Sequence, residues 1–273
     1  MKSNKDGIAV ISRHGIKFPG RHGSRVKDEE PLIPGSFDDK HYIYITPESA
    51  EEFRKKGREI LGDQNFEHSV LVISEFIRAG QSGGYFLEGG VPGLKDNTYL
   101  ISRREVGFTE RNVDWRDQRL PIWSNEKEEA DKCIKELFEG FYFKIDEKLP
   151  YAAEMAYGFI SSIIDGIEYL QSQQKNDGEK NLFTHFSHAP NVDTLAMIVL
   201  GCLEIDSKNR IVKVNDNYKG HTAMGEMFTG SMYDLRTDNP SLELAVKGTI
   251  KGYKVSDLKR MQAEVYEHAN MSI

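Results

Sequence analysis

Apolar residues along this chain come in two spacings. Gly7-Ile-Ala-Val-Ile-Ser12 and Ser69-Val-Leu-Val-Ile-Ser74 are short, continuous and rich in β-branched residues, the pattern of strands buried on both faces. Asn181-Leu-Phe-Thr-His-Phe-Ser187 is a third strand candidate. Elsewhere the apolar positions recur every three or four residues. Thr46-Pro47-Glu48 supplies an N-cap, a proline at the first helical position and an acid in the first turn, and Ala50, Phe53, Gly57 and Ile60 follow at helical spacing. The segment from Arg78 predicts a helix after the second strand. From Glu154 to Leu170, Met155, Phe159, Ile163, Ile167 and Leu170 share one face of a longer helix. The polar run Gln171 to Lys180 predicts a solvated loop, and Pro190 opens a helix over Asn191 to Leu200. Two or three short strands fit between Arg210 and Val246. A last helix, capped by Ser256, runs through Leu258, Met261 and Val265.

Strand, helix, strand, helix is an α/β rhythm. The expected architecture is a three-layer α/β/α sandwich around a mostly parallel sheet, with residues 1–273 forming one domain. Residues 107–150 break the rhythm with Trp115, Trp123, a charged stretch and a helical pattern at Ala130, Cys133, Leu137, Phe141 and Ile145. They read as an insertion, or cap, overhanging the strand ends. No internal repeat or low-complexity tract is present.

Composition narrows the class. The 273 residues carry 36 Lys and Arg against 43 Asp and Glu, a net charge of −7, which argues against a general nucleic-acid or anionic-membrane binder. A chain of this length buries enough surface to fold without disulfide or metal staples. Its two thiols, Cys133 and Cys202, fit a reducing compartment. Met1 to Gly7 is polar and offers no signal-peptide core, and the longest apolar stretch, Thr194 to Leu203, is far too short to span a bilayer. The expectation is a cytoplasmic globular enzyme or binding module.

The chemistry gathers at strand ends, where ligands sit in open α/β sheets. Ile11-Ser-Arg-His-Gly-Ile-Lys-Phe-Pro19 places Arg13, His14 and Lys17 just beyond the first strand. A histidine between cations and beside a glycine can attack phosphorus while its neighbours bind the phosphoryl oxygens and the glycine lets the backbone approach. Val72-Ile-Ser-Glu-Phe-Ile-Arg78-Ala-Gly-Gln-Ser82 brings an arginine to the second strand's end, and Thr184-His-Phe-Ser-His188 brings a histidine to the third.

Taken in order, these segments resemble the histidine phosphatase superfamily, also called phosphoglycerate mutase-like. Arg13-His14-Gly15 is similar to its signature tripeptide. Ile45-Thr-Pro-Glu resembles its second-helix entry, Arg78-Ala-Gly-Gln-Ser82 its Arg-Ala-x-Gln-Thr segment, and Ser187-His188 its late histidine element. The resemblance implies that His14 is the nucleophile that becomes a phosphohistidine, with Arg13, Arg78 and His188 forming the phosphate pocket. It implies no metal or organic cofactor, because arginines and histidines supply the charge. The expected partner is a small phosphorylated substrate rather than nucleic acid or membrane. For the proton donor the mutase-like branch points to Arg104-Glu105-Val-Gly107 and so to Glu105, with Glu110 and then Asp193 behind it. The donor of the acid-phosphatase branch directly follows the second histidine, and here that position is Ala189. Lys17 stands where that branch has an arginine, which keeps the charge and loses the bidentate fork.

Hydrolysis of a phosphomonoester is the expected reaction; a mutase-type phosphotransfer, or a weakly catalytic phospholigand-binding module, would use the same residues. A rival reading is a serine hydrolase, since Gly80-Gln-Ser82-Gly-Gly84 fits the G-x-S-x-G nucleophile elbow, although Glu75 to Ala79 separate the serine from its strand. A second Arg21-His22-Gly23 has no strand before it and reads as a loop near the mouth. His185 and His188 lack acidic or thiol neighbours at ligand spacing, which argues against a metal, and His185 is expected on the strand's other side. Gly220 to Gly225 starts like a P-loop, but Glu226-Met227 stands where lysine and serine or threonine are required.

Overall fold

Both spacings become the elements they predict. The computed structural model describes residues 5–16, 45–62, 64–74, 77–103, 127–139, 152–189, 191–206 and 211–269. In chain order these form β1 (Lys5–Arg13), α1 (Pro47–Leu61), β2 (His68–Ser74), α2 (Ile77–Gly90), β3 (Tyr99–Arg103), α3 (Lys127–Glu139), α4 (Ala152–Gln173), β4 (Asn181–Ser187), α5 (Asn191–Leu200), β5 (Leu203–Asp206), β6 (Ile211–Val214), β7 (Met227–Tyr233), β8 (Ser241–Val246), β9 (Thr249–Lys254) and α6 (Val255–Ala269).

Seven strands form one sheet in the order β3-β2-β4-β1-β7-β8-β9. The contacts β3/β2, β2/β4 and β4/β1 are parallel, and those from β1 to β7 onward are antiparallel. β1, β2, β3, β4 and β8 therefore point one way and β7 and β9 the other: the sheet is mixed, with a parallel half and a hairpin half. β5 and β6 pair separately.

Side-chain alternation sorts the core into two layers. β1 sends Ile8 and Val10 toward α1 and α2, where Phe53, Phe86 and Leu87 meet them, together with Leu71 and Ile73 of β2 and Phe186 of β4. Its other face sends Ala9 and Ile11 into a cluster with Phe159, Ile163 and Ile167 of α4, Val192 and Leu195 of α5, and Leu242 and Leu244 of β8. Helices on both faces explain why these strands are apolar throughout. α1 and α2 cross at glycines: a Cβ on Gly57 would collide with the Phe86 carbonyl oxygen, and one on Gly89 with that of Arg54.

The Thr46 cap forms as expected, with Oγ1 accepting from the Ser49 N–H at 3.3 Å. At the last helix the cap differs. α6 starts at Val255, and the Ser256 N–H donates to Asn239 Oδ1 at 3.0 Å, so a side chain from the β7–β8 loop caps it in place of Ser256. β3, β5 and β9 were not anticipated. β3 and β9 are the sheet's edge strands, whose short, half-polar runs carry little periodic signal. Of the expected insertion, α3 is described; it sets Ile134, Leu137 and Phe138 against Met155, Met197, Cys202 and Val212. Phe141, Ile145 and both tryptophans lie outside the described residues. Among the described residues no helix is long and apolar enough to cross a membrane.

Candidate active site

β4 lies between β1 and β2, so the three strands that end in candidate chemistry end side by side. Helices α2 and α5 begin within a few residues of the ends of β2 and β4, which turns their N-termini and their positive dipole ends toward the same edge. His14, Arg78 and His188 are all buried there, at 5%, 8% and 1% exposure.

A closed circuit of hydrogen bonds fixes the geometry around His14. Its Nδ1 lies 2.7 Å from the Gly15 carbonyl oxygen, which can only accept, so Nδ1 carries the proton. Its Nε2 accepts from Arg78 Nε–H at 3.2 Å. The Gly15 N–H donates to Ser82 Oγ at 3.0 Å, and that hydroxyl donates to the Arg78 carbonyl at 2.7 Å. The circuit thus runs from Arg78 side chain to histidine ring, to loop, to serine, and back to the Arg78 backbone. It selects the neutral tautomer whose Nε2 lone pair faces the arginine, the form a nucleophilic imidazole needs.

The loop after His14 rests on α1. Ile16 N–H donates to Ser49 Oγ at 3.0 Å, and the Ile16 carbonyl accepts from the Thr46 N–H at 2.9 Å. Gly15 is required by crowding, because a Cβ would overlap Ser49 Oγ and lie 2.7 Å from Phe53. His188 faces His14 with ring centroids 4.6 Å apart, and its Nε2 shares a 2.7 Å hydrogen bond with Ser74 Oγ at the end of β2.

Arg13 projects to the other face of the sheet edge, as the alternation along β1 demands. Its Nη1 donates to the Thr222 carbonyl at 2.5 Å. The Thr222 N–H donates to Asp193 Oδ1, also at 2.5 Å, so α5 and Arg13 hold the two backbone polar groups of one residue. Burial pulls the Arg13 pKa down, opposed by Asp193 and Glu226. Burial raises the Asp193 carboxyl above the ordinary range, opposed by its Thr222 hydrogen bond and by Arg13. Among the described residues nothing donates to the buried Asp193 Oδ2.

Of the residues singled out from the sequence, Arg13, His14, Arg78 and His188 converge on this edge. Lys17, Arg21-His22-Gly23, Glu105 and Glu110 lie outside the described residues. Asp193, the third proton-donor alternative, stands beside Arg13. The serine-hydrolase reading is corrected: Ser82 is fully buried inside α2, one turn after Arg78, and spends its hydroxyl on the circuit instead of crowning a strand-to-helix elbow. His185 turns away from His188. It is wholly buried on the α4 side of the sheet, bonded through Nε2 to Ser162 Oγ at 2.9 Å, and burial pushes its pKa down to about 3.

Sequence reasoning missed Ser49 and Ser74, and it named Ser82 and part of the 218–226 loop without the roles they take in the structure. The serines have a signal in retrospect: Ser82 is four residues from Arg78, one helical turn, and Ser74 is the last residue of its strand. The loop has none at the level of motif, because it enters through an antiparallel strand.

No protein-family model matches this sequence, and no curated protein matches it either. Solved structures do. The phytase of Klebsiella sp. ASR1 aligns with 98% of this chain and 96% of its own, at 9% identity and a TM-score of 0.40. Mycobacterial glucosyl-3-phosphoglycerate phosphatase aligns with 89% of this chain and 98% of its own, at 13% identity and a TM-score of 0.48. Phosphoglycerate mutase from Plasmodium falciparum aligns with 82% of this chain and 98% of its own, at 13% identity and a TM-score of 0.30. These are likenesses to solved structures at 9–13% identity, each with a TM-score below 0.5.

Proposed function

We propose that the chain is a phosphatase that hydrolyses a small phosphomonoester through a phosphohistidine on His14. The observation that carries the reading is the circuit that leaves Nε2 deprotonated and aimed at Arg78. In the reaction the phosphoryl group takes Arg78's place at Nε2. The lone pair forms the N–P bond as the ester P–O bond breaks, and Arg13, Arg78, Lys17 and His188 neutralise charge on the equatorial oxygens. A carboxyl protonates the departing alkoxide. Water then attacks phosphorus, the N–P bond breaks, and the same carboxylate takes the water's proton.

Glu105 is our choice of donor. Asp193 is the alternative with a physical argument behind it, since its buried, raised carboxyl keeps a proton above the usual range and one of its oxygens has no partner among the described residues. Leaving-group chemistry separates them from each other and from a structural role. Losing the donor should cost about 10²- to 10³-fold on an alkyl phosphate and far less on p-nitrophenyl phosphate, whose phenolate leaves unaided. We expect that split in Glu105→Gln. Finding it in Asp193→Asn instead moves the role. The intermediate is tested by rapid quench with labelled substrate: an acid-labile, alkali-stable phosphate on His14 is expected, and label on serine, or turnover surviving in His14→Ala, would sink the mechanism.

A further inference from the structure

The loop before β7 meets the site without belonging to any strand end that sequence reasoning considered. Asp131 of α3 uses one oxygen, Oδ1, to accept from both the His221 backbone N–H at 2.8 Å and the His221 ring Nδ1 at 2.7 Å. Gly220, with φ of +83°, packs against the same carboxylate; a Cβ there would come within 3.2 Å of Oδ2. Lys247, in the β8–β9 turn, donates to the carbonyls of Gly220 at 2.6 Å and His221 at 3.0 Å. Further on, the Gly225 N–H donates to the His14 carbonyl at 3.1 Å, and Lys56 of α1 donates to the Gly225 carbonyl at 2.8 Å. Between these anchors lies Thr222, whose carbonyl receives Arg13 and whose N–H is held by Asp193.

An unbroken path of hydrogen bonds and one covalent step thus runs from α3 to the guanidinium: Asp131, His221, Thr222, Arg13. We propose that Asp131 and His221 are positioning residues through which α3 sets the orientation of Arg13, and with it the affinity of the site for a phosphoryl group. Because the Thr222 carbonyl takes Nη1, it fixes the plane of a rigid fork, and the directions of the remaining N–H donors follow from that plane. A shift of the Thr222 carbonyl by a few tenths of an ångström, at the end of a long side chain, turns those donors away from a bound anion. The inference rests on the reading of Arg13 as a phosphate ligand.

Inorganic phosphate is the probe, measured by calorimetric titration beside turnover of p-nitrophenyl phosphate. Asp131→Ala should weaken phosphate binding and raise KM by about tenfold, the worth of one or two lost orienting bonds, while kcat falls by less than about threefold. Asp131→Asn keeps an acceptor for the His221 N–H and should stay within about threefold of the native protein. In an Arg13→Ala background, Asp131→Ala should add nothing, because the path then ends on no side chain. A lowered Tm with unchanged phosphate affinity, an equal loss in the Arg13→Ala background, or Asp131→Asn as impaired as Asp131→Ala would overturn the proposal. A native protein that binds no phosphate would overturn the Arg13 reading with it, whereas native binding with an indifferent Asp131→Ala overturns this inference alone.

Discussion

The two halves of the sheet use their residues differently. In the parallel half, β2 and β4 are buried nearly end to end, covered by α1 and α2 on one side and α4 and α5 on the other. In the hairpin half, β8 alternates buried and half-buried positions, and β9 is mostly exposed. A strand covered on both faces meets solvent only at its ends, so a polar residue just past its carboxyl end is held firmly and still reachable. That is where His14, Arg78 and His188 stand. A strand with one open face has polar positions along its whole length and concentrates chemistry nowhere. β7 is the exception that sharpens the contrast. It runs against β1, so its beginning lies beside the end of β1, and the loop leading into it is delivered to the site.

The comparison can be broken in order of effect. His14→Ala should lower kcat/KM by about four orders of magnitude or more with the fold intact by circular dichroism, and Arg78→Ala by about 10²- to 10³-fold. Next come paired core truncations. Phe186→Ala in β4 removes a ring packed between Phe53 and Phe86 and should cost about 3–5 kcal/mol of stability, while Leu244→Ala in β8 should cost about 2–5 kcal/mol. Only the first should also slow turnover of the protein that remains folded, because only Phe186 underlies the turn to His188. Equal kinetic damage from both would erase the distinction between the halves.

A smaller effect is set by pH. His185 is buried and neutral, and its pKa is pushed down from the ordinary 6.5 to about 3. The unfolded chain therefore binds a proton that the native state refuses throughout that window. The stability tied to His185 is intact above pH 6.5 and falls by up to about 1.4 kcal/mol per pH unit on acidification toward 3. His185→Gln, which keeps a polar partner for Ser162, should flatten the decline of Tm between pH 6.5 and 4.5; an unaltered slope would remove His185 from the acid response. The smallest effect belongs to the α1 entry, where Thr46→Ala should cost about 1 kcal/mol in a denaturant titration.

The parallel half was also the legible half. Continuous β-branched runs and a capped helix are strong local signals, so β1, β2, β4, α1 and α5 appear close to where the pattern puts them. The convergence of Arg13, His14, Arg78 and His188 was legible because they stand at or just past the ends of those strands. The G-x-S-x-G spacing at Ser82 was a decoy that the intervening Glu75 to Ala79 already exposed; the bond from its hydroxyl to the Arg78 carbonyl became visible only with α2 in place. Asp131, His221 and Thr222 were invisible for another reason. Their roles come from an antiparallel neighbour and a helix from a distant segment, and no short-range pattern encodes which strand lies beside β1. Asp193 falls between: named as a carboxyl, but not as the holder of a backbone amide.

The pairing of β1 has a consequence for how the molecule is made. Its registers join Gly7 to Asn181 on one side and Ile11 to Phe228 on the other, so β1 must wait for partners synthesised long after it. Contacts so far apart in sequence close late, after β8 and β9 have formed a local hairpin across Lys247-Gly248. His14 is therefore translated well before the strands that seat it. A nascent chain lacking β4 and β7 holds His14 without the Ser187, His188 and Gly225 groups that surround it, so the proposed chemistry waits for both strands.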